Sequence, residues 1–466
     1  MVFSSLIFLF IYLPVVLAVY YIVPVKWRNP WLFVVNFIFY GWGEPVYLFL
    51  MIFSITVNYI HGYFIHKYRE NDALAKRFVL SNTIINLALL VFFKYFDLIA
   101  VTLSAIPGLH FITPLGITLP IGISFYTFQT MSYPIDVYRE DADVQKNYIS
   151  FGTFVALFPQ LIAGPIVRYK DVSEQLDFRA GSLDQFASGI RRFIVGLGKK
   201  VLIANTVSLL WNIYKAMPLS ELTVLGSWLG IIAFSFQIYF DFSGYSDMAI
   251  GLGRMLGFEF LENFDYPYIA KSITEFWRRW HMSLGTWFRD YVYIPLGGNR
   301  RGYGRQFLNI IIVWALTGIW HGANWTFLVW GIYYAFFLIL EKSFLLRVFE
   351  KTPPWIQHLY TLLIVVCGWV FFDLDSFSRA GHYFSAMFGA SGTGLFSPAD
   401  LYYLSNFAIM LIVSALASTK MWKNLYDKIN PRVQSVITPL LIIIVLALST
   451  AYLVDNSYNP FIYFRF

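Results

Sequence analysis

Long apolar runs alternate with short polar connections along nearly the whole chain. The runs fall at about 5–25, 30–41, 46–65, 78–104, 114–132, 149–166, 190–213, 223–242, 306–340, 356–372, 401–419 and 435–454. A helix needs about 20 apolar residues to cross a bilayer, whereas a spanning β-barrel shows alternating segments of about ten residues. The pattern therefore predicts an all-α polytopic membrane protein with about 11 spans and additional re-entrant and interfacial helices.

Composition excludes a soluble protein. Hydrophobic residues make up 58% of the 466 residues and charged residues only 13%, about half the charged fraction of a soluble domain. The net charge of +7 comes from basic residues in short loops beside the apolar runs, which is typical of orientation by positive cytoplasmic loops. Membrane lipid is thus the expected partner, and nucleic acid is not.

The last apolar run sets the position of the C-terminus. A basic segment containing Lys420, Lys423, Lys428 and Arg432 precedes it and is predicted to be cytoplasmic. Residues 455–466 should then form an extracytoplasmic tail. We expect one transmembrane domain over residues 1–466.

Two apolar runs do not fit single straight helices. The run 149–170 contains Pro159, Gly164 and Pro165, which predicts a broken or re-entrant segment whose backbone is covered by protein. The run 306–340 is too long for one span and should form two helices that bend near Gly322.

The stretch 241–299 mixes aromatic and charged residues and fits neither a hydrophilic loop nor an apolar span. We interpret residues 243–305 as helices at the cytoplasmic interface. Arg278, Arg279 and Arg289 could bind donor phosphate groups there through charge-assisted hydrogen bonds. The alternative for each arginine is contact with lipid headgroups.

Two histidines are candidates for catalysis, since histidine is the natural general base near neutral pH. His321 lies within the run 306–340, beside the small and polar residues Gly322, Ala323 and Asn324. His281 lies in the interfacial block. For both, a purely structural histidine is the alternative. Metal-ligand and nucleotide-binding motifs are missing from the sequence, so neither a metal nor a resident cofactor is expected, and the single Cys367 allows no internal disulfide.

Several long motifs are similar to the membrane-bound O-acyltransferase superfamily, and within it to the bacterial alginate and peptidoglycan O-acetylation branch. They are YFDFSGYSDMAIGLG at 239–253, ITEFWRRWHMSLGTWFRDYVYIPLGGNR at 273–300 and GIWHGANWTFLVWG at 318–331, together with LPIGISFYTFQTMSYPIDVYR at 119–139 and FPQLIAGPIVRYKD at 158–171. The resemblance extends over most of residues 1–335.

The resemblance implies a ring of tilted helices around a central tunnel in a bacterial inner membrane. It implies transfer of an acyl group, acetyl above all, from a cytoplasmic donor such as acetyl-CoA toward a cell-surface or exported polysaccharide. His321 matches the family's catalytic histidine and His281 the second active-site position. Relatives act with an extracytoplasmic esterase-like acyltransferase, which is the expected protein partner. Gln160 replaces a histidine of some relatives, and we assign it no catalytic role.

The chain ends in Phe461-Ile462-Tyr463-Phe464-Arg465-Phe466. This ending resembles the tail of a small companion protein in the teichoic acid D-alanylation pathway, where a tyrosine is thought to carry the acyl group. Tyr463 is therefore the third catalytic candidate, as an acyl carrier. The alternative is an interfacial aromatic anchor.

Two other functions are consistent with the same residues. One is a transporter or flippase for an acylated or saccharide intermediate, because broken helices and intramembrane polar residues also occur in transporters. The other is direct acylation of a small lipid acceptor. The sequence shows no inverted repeat, which argues against the transporter.

Overall fold

The computed structural model describes residues 1–455, and in it the chain is mainly helical. Within these residues no strand forms, and the only extended pairing is an isolated antiparallel bridge between Phe264 and Trp280. The predicted all-α class is confirmed. The C-terminal tail, including Tyr463, lies outside the described residues.

Eight helical segments of the described chain are long and apolar enough to cross a membrane, which confirms a multi-pass protein. They are Leu48–Lys67, Asp72–Ser104, Leu183–Ala216, Val224–Met255, Trp325–Phe349, Pro354–Asp373, Pro398–Ala417 and Pro431–Asp455. Other helices are shorter or more polar, so the total of about 11 spans stays a prediction.

The chain divides into two compact units. Unit 1 comprises residues 1–193 and 245–262, and within the described residues unit 2 comprises 194–244 and 263–455. Two helices, α10 (Leu183–Gly198) and α12 (Val224–Met255), contribute residues to both units.

Unit 1 contains nine further α-helices. They are α1 (Leu13–Ile22), α2 (Val25–Gly41), α3 (Leu48–Lys67), α4 (Asp72–Leu90), α5 (Phe96–Ser104), α6 (Ile123–Tyr138), α7 (Tyr148–Ala156), α8 (Phe158–Leu161) and α9 (Tyr169–Asp177). Wider π-helical turns occur at Phe8–Tyr12, before α1, and at Val91–Tyr95, between α4 and α5. Polar residues bind the helices together, since Asn58 on α3 and Asn86 on α4 exchange side-chain hydrogen bonds of 3.1 and 3.2 Å.

Unit 2 holds the remaining α-helices. They are α11 (Asn205–Ala216), α13 (Ile273–Arg279), α14 (Met282–Phe288), α15 (Tyr303–His321), α16 (Trp325–Leu340), α17 (Leu346–Phe349), α18 (Pro354–Asp373), α19 (Phe377–Met387), α20 (Pro398–Ala417), α21 (Met421–Asp427) and α22 (Pro431–Asp455). Three π-helical turns (Lys199–Ala204, Arg289–Tyr293, Glu341–Leu345) and a 3₁₀ turn at Pro267–Ile269 join some of them.

The segment 149–170 is broken as predicted. Helix α7 ends at Ala156, Leu157 leaves the helical conformation with ψ 108°, and α8 begins at Phe158. The backbone N–H of Phe158 donates to Asn36 Oδ1 over 3.0 Å, and Gln160 Nε2 donates to the Phe154 carbonyl over 2.6 Å. Side-chain amides thus satisfy backbone groups that the break exposes, and Gln160 has this structural role.

The interfacial block predicted to begin at residue 243 starts within a longer helix, and its placement at the interface stays a prediction. Helix α12 continues unbroken to Met255 and belongs to a candidate span, so the short helices begin only at residue 267. The acidic residues that pointed to an interface are paired. Asp241 lies 2.5 Å from Lys200 in unit 2, and Asp247 lies 2.7 Å from Arg192 in unit 1. Paired charges can be accommodated within a buried helix.

The run 306–340 forms two helices, as predicted. Helix α15 ends at His321, and α16 begins at Trp325. Asn324 caps α16, because its Oδ1 accepts the Thr326 N–H over 3.0 Å. The two helices cross closely where Gly318 faces Gly331, and a Cβ at either glycine would overlap a carbonyl oxygen of the other helix. The break leaves His321 on the last turn of α15.

Candidate active site

His281 occupies an unusual backbone position between two short helices. It has φ +46° and ψ +52°, the left-handed region, and directly precedes α14. Non-glycine residues seldom adopt this conformation. Backbone hydrogen bonds hold it from both sides, since Asp265 N donates to Arg279 O and Met282 N donates to Asn263 O, each over 3.0 Å. The turn directs the ring into the protein interior, and only 2% of the His281 surface is exposed.

Asn263 determines which nitrogen of His281 carries the proton. The backbone N–H of Ser283 can only donate, and it lies 3.3 Å from Asn263 Oδ1. The Ser283 hydroxyl donates to the same oxygen over 2.9 Å. The Asn263 oxygen therefore faces His281, whose Nδ1 lies 3.1 Å away and must donate. The neutral ring then has its lone pair on Nε2, which is buried and has no hydrogen-bond partner within residues 1–455.

Burial also keeps this imidazole neutral. Loss of hydration lowers the pKa of His281 to about 3. Aromatic rings surround it, with the centroid of Phe242 at 4.7 Å and that of Trp320 at 5.9 Å. His281 is thus a neutral hydrogen-bond acceptor at Nε2 rather than a cation near neutral pH.

His321 is held by a second aromatic cluster. Its ring centroid lies 5.0 Å from that of Trp330 and 5.2 Å from that of Phe372, and 2% of the residue is exposed. As the last residue of α15, it lies at the helix end that carries partial negative charge.

One cavity of about 180 Å³ brings the two histidines together. From α15 it is lined by Val313, Thr317 and His321, which are four residues apart and so share one helix face. Its complete lining is Trp277, Trp280, His281, Leu284, Gly285, Phe288, Arg289, Tyr293, Val313, Trp314, Thr317 and His321. The structure therefore places both predicted histidines in one largely aromatic pocket.

The three candidate arginines have different surroundings. Arg289 lines the cavity and pairs with the adjacent Asp290 at 2.8 Å. Arg279 binds Asp265 at 2.6 Å and Glu275 at 2.9 Å, so two carboxylates already neutralise it. Arg278 is exposed and is not part of the cavity wall. Of the three, Arg289 is the one positioned to contact a molecule in the cavity.

Sequence reasoning missed Asn263. The residue lies in the stretch 241–299, but nothing in its spacing indicates that it contacts His281, 18 residues later. Within the described residues, no three His, Cys, Asp or Glu side chains come together as a metal site.

A family's sequence pattern settles the class of this protein. The pattern of MBOAT, the membrane-bound O-acyltransferase family, matches residues 137–373, which include Asn263 and both histidines. The chain belongs to the membrane-bound O-acyltransferase family. It is accordingly an enzyme that transfers acyl groups to oxygen.

Individual relatives place it in one branch of the MBOAT family. The probable alginate O-acetylase AlgI of Pseudomonas putida is 39% identical, with all of both chains covered. The peptidoglycan O-acetyltransferase of Helicobacter pylori is 33% identical over 85% of this chain and 81% of its own length. A teichoic acid D-alanyltransferase of Bacillus subtilis is 28% identical over 53% of this chain and 64% of its own. The predicted alginate and peptidoglycan branch is confirmed.

Proposed function

We propose that this MBOAT enzyme moves an acetyl group from a cytoplasmic thioester, acetyl-CoA, across the inner membrane toward a cell-surface or exported polysaccharide. The observation that carries the proposal is the shared cavity of His281 and His321. The names of the relatives support it, since they describe O-acetylation of alginate and of peptidoglycan.

The two histidines have different tasks in this proposal. His321, next to the negative end of α15, accepts the proton of the attacking hydroxyl as general base. His281 stays neutral and accepts a hydrogen bond at Nε2, which orients the donor or the hydroxyl beside it. Arg289 at the cavity wall provides a positive charge for the phosphates of the donor.

Tyr463 is the proposed acceptor of the first transfer. Its phenol is a weak nucleophile with a reference pKa of about 10 and needs a base. As His321 removes the phenol proton, the phenolate oxygen forms a bond to the acetyl carbonyl carbon and the thioester C–S bond breaks. The thiolate leaves with the proton that His321 took up. The product is an acetyl-tyrosine on the C-terminal tail.

The second transfer takes place on the extracytoplasmic side of the membrane. An extracytoplasmic esterase-like acyltransferase takes the acetyl group from Tyr463 and passes it to a polysaccharide hydroxyl. This chain has no GxSxG motif of its own, which supports a separate partner. The relay links a cytoplasmic donor with an outer acceptor and requires the C-terminus to be extracytoplasmic.

Intact-mass measurement tests the proposal directly. The purified full-length protein is incubated with labelled acetyl-CoA, and the adduct is mapped by peptide analysis. We expect one acetyl group on Tyr463, its loss in Tyr463→Phe, and a decrease of roughly 10²–10⁴-fold in its rate of formation in His321→Ala. Tyr303→Phe, a change at an exposed tyrosine, is the matched control.

Two results would contradict different parts of the proposal. An unchanged adduct in Tyr463→Phe excludes the relay while leaving acyl transfer intact. Polysaccharide acetylation at the normal rate in His321→Ala cells excludes His321 as the base.

A further inference from the structure

A second cavity, in unit 1, is polar and has more positively than negatively charged residues in its lining. It has a volume of about 180 Å³ and lies where α2 begins and α9 ends. Lys26, Arg28 and Arg179 line it, opposed by the single carboxylate of Asp177. None of these residues belongs to a candidate membrane span or to the cavity of the two histidines.

Arg179 is fixed by neutral groups only. Its Nε donates to the Tyr20 hydroxyl over 3.0 Å, and one terminal nitrogen donates to Asn29 Oδ1 over 2.7 Å. The other terminal nitrogen donates to the carbonyls of Gln175 and Leu176 over 3.0 and 3.2 Å. These hydrogen bonds hold the Arg179 side chain in one position, but within the described residues no carboxylate neutralises its charge.

Arg28 is held by aromatic faces. Its guanidinium carbon lies 4.9 Å from the ring centroid of Tyr20 and 5.8 Å from that of Tyr21. Its Nε is buried, and in residues 1–455 it has no hydrogen-bond partner. The guanidinium carbon of Arg179 lies 5.8 Å from the same Tyr20 centroid. Two guanidinium groups therefore flank one tyrosine.

Two other partly buried arginines, by contrast, are neutralised by carboxylates. Arg168 lies 2.7 Å from Asp171, and Arg192 lies 2.7 Å from Asp247. At the unit 1 cavity, like charges instead lie close together, an arrangement that costs free energy unless an anion joins them. The first turn of α2 adds to the positive character of the cavity. It begins after Pro24 and has neither a side-chain cap nor an acidic residue. Its free N–H groups also favour an anion.

We propose that this cavity binds a phosphate group, with Arg28, Arg179 and Lys26 as its ligands. Arginine forks match phosphate oxygens in bidentate hydrogen bonds, and Arg28 has its donors available. The phosphate is that of an anionic phospholipid headgroup or of a soluble phosphate compound. The site is separate from acyl transfer and does not depend on the function proposed above.

Arg28→Gln is the most informative variant. It removes the charge and the contacts with the Tyr20 and Tyr21 rings, but it breaks no hydrogen bond within the described chain. Arg28→Lys keeps the positive charge but removes the guanidinium group that forms bidentate hydrogen bonds. Arg77→Gln, a change at an exposed arginine of the same unit, is the matched control. Thermal unfolding in detergent shows whether each variant is folded.

Two binding measurements distinguish the sources of the phosphate. In the first, native mass spectrometry of the full-length protein compares phosphatidylglycerol with phosphatidylcholine. In the second, inorganic phosphate and ADP are titrated and the rise in melting temperature is followed. We expect Arg28→Gln to weaken binding about tenfold, Arg28→Lys to weaken it less, and Arg77→Gln to leave it unchanged.

A preference for phosphatidylglycerol that Arg28→Gln removes identifies a lipid headgroup. Stabilisation by phosphate or ADP that Arg28→Gln removes, without a lipid preference, identifies a soluble phosphate. If wild type and folded Arg28→Gln respond equally to all of these probes, the proposal is wrong.

Discussion

Asn263 and His281 form a hydrogen bond of 3.1 Å that determines the tautomer of the histidine. The Asn263 oxygen also accepts both donors of Ser283, so the amide cannot turn its nitrogen toward the ring without losing them. Nε2 of His281 is therefore the nitrogen with a lone pair. In the proposed function Asn263 is a positioning residue, since it orients His281 without lining the cavity itself.

Replacing Asn263 by alanine should lower acetyl transfer. The change removes the acceptor for a buried N–H and allows the other tautomer, so we expect a loss of roughly 10- to 100-fold in kcat/KM. Asn263→Asp keeps an acceptor but adds a negative charge, which should raise the proton affinity of His281 and move the acidic limb of the pH–rate profile upward.

Asn58→Ala is the control for these variants, because it replaces a buried asparagine of the unit 1 helices. It should lower stability without changing the pH dependence of folded enzyme. A pH–rate profile of Asn263→Asp identical to that of wild type would contradict the positioning role.

The sequence predicted the elements of this site but not their connection. His321 was found because a histidine beside small and polar residues interrupts an apolar run, and the helix break follows from the same local signal. The contact of Asn263 with His281 depends on a left-handed turn and a backbone bridge that join distant parts of the loop. Neither has a periodic pattern that the sequence could reveal.

The prediction of an interfacial block from residue 243 used the same kind of local reading. Asp241 and Asp247 look incompatible with a long buried helix when read along the chain. Their partners, Lys200 and Arg192, are on another helical segment. Charge neutralisation by tertiary contacts is not visible in a local window of sequence. The prediction therefore did not include the 12 residues by which the helix extends beyond position 243, to Met255.

His281 should make the stability of the protein sensitive to acid. Its pKa in the folded protein is about 3, below the value of about 6.5 for an exposed histidine. Between these values the unfolded chain binds a proton that the folded protein does not. This contribution to stability is fully present above about pH 6.5 and is lost as the pH falls toward 3.

At about pH 5, this proton alone should remove about 2 kcal/mol of stability relative to neutral pH. We expect the melting temperature in detergent to fall less on acidification in His281→Asn than in wild type. His382→Asn, at an exposed histidine, should behave as wild type. An equal fall in His281→Asn and wild type would show that His281 takes up its proton without unfolding.

Gly318 should tolerate no side chain, because α15 and α16 cross at this point. A Cβ there would overlap the Phe327 carbonyl oxygen and lie 3.3 Å from the Gly331 Cα, and neither is a movable side chain. We expect Gly318→Ala to destabilise the protein by about 1–3 kcal/mol and to lower activity, since His321 follows three residues later.

Gly304→Ala is the matched control on the same helix. A Cβ there has no atom within 4 Å, so alanine should be neutral or stabilising by up to about 1 kcal/mol. Thermal unfolding and acetyl transfer are measured on both variants. Similar effects of the two substitutions would mean that helix propensity, not the crossing, controls stability here.

Gly285 offers a way to close the active-site cavity without disturbing the fold. It lines the cavity on α14, and a Cβ at this position would meet no atom within 4 Å. A phenyl ring placed there should occupy space that the donor needs and should lower acetyl transfer roughly 100-fold, the effect of misplacing a reacting group by about 1 Å.

Gly285→Ala adds one methyl group and should stay close to wild type, while Gly285→Phe should keep a normal melting temperature. Rates of adduct formation with labelled acetyl-CoA, measured over a range of donor concentrations, separate weaker donor binding from slower chemistry. Full activity in a folded Gly285→Phe enzyme would mean that the acetyl group reaches His321 by a path other than this cavity.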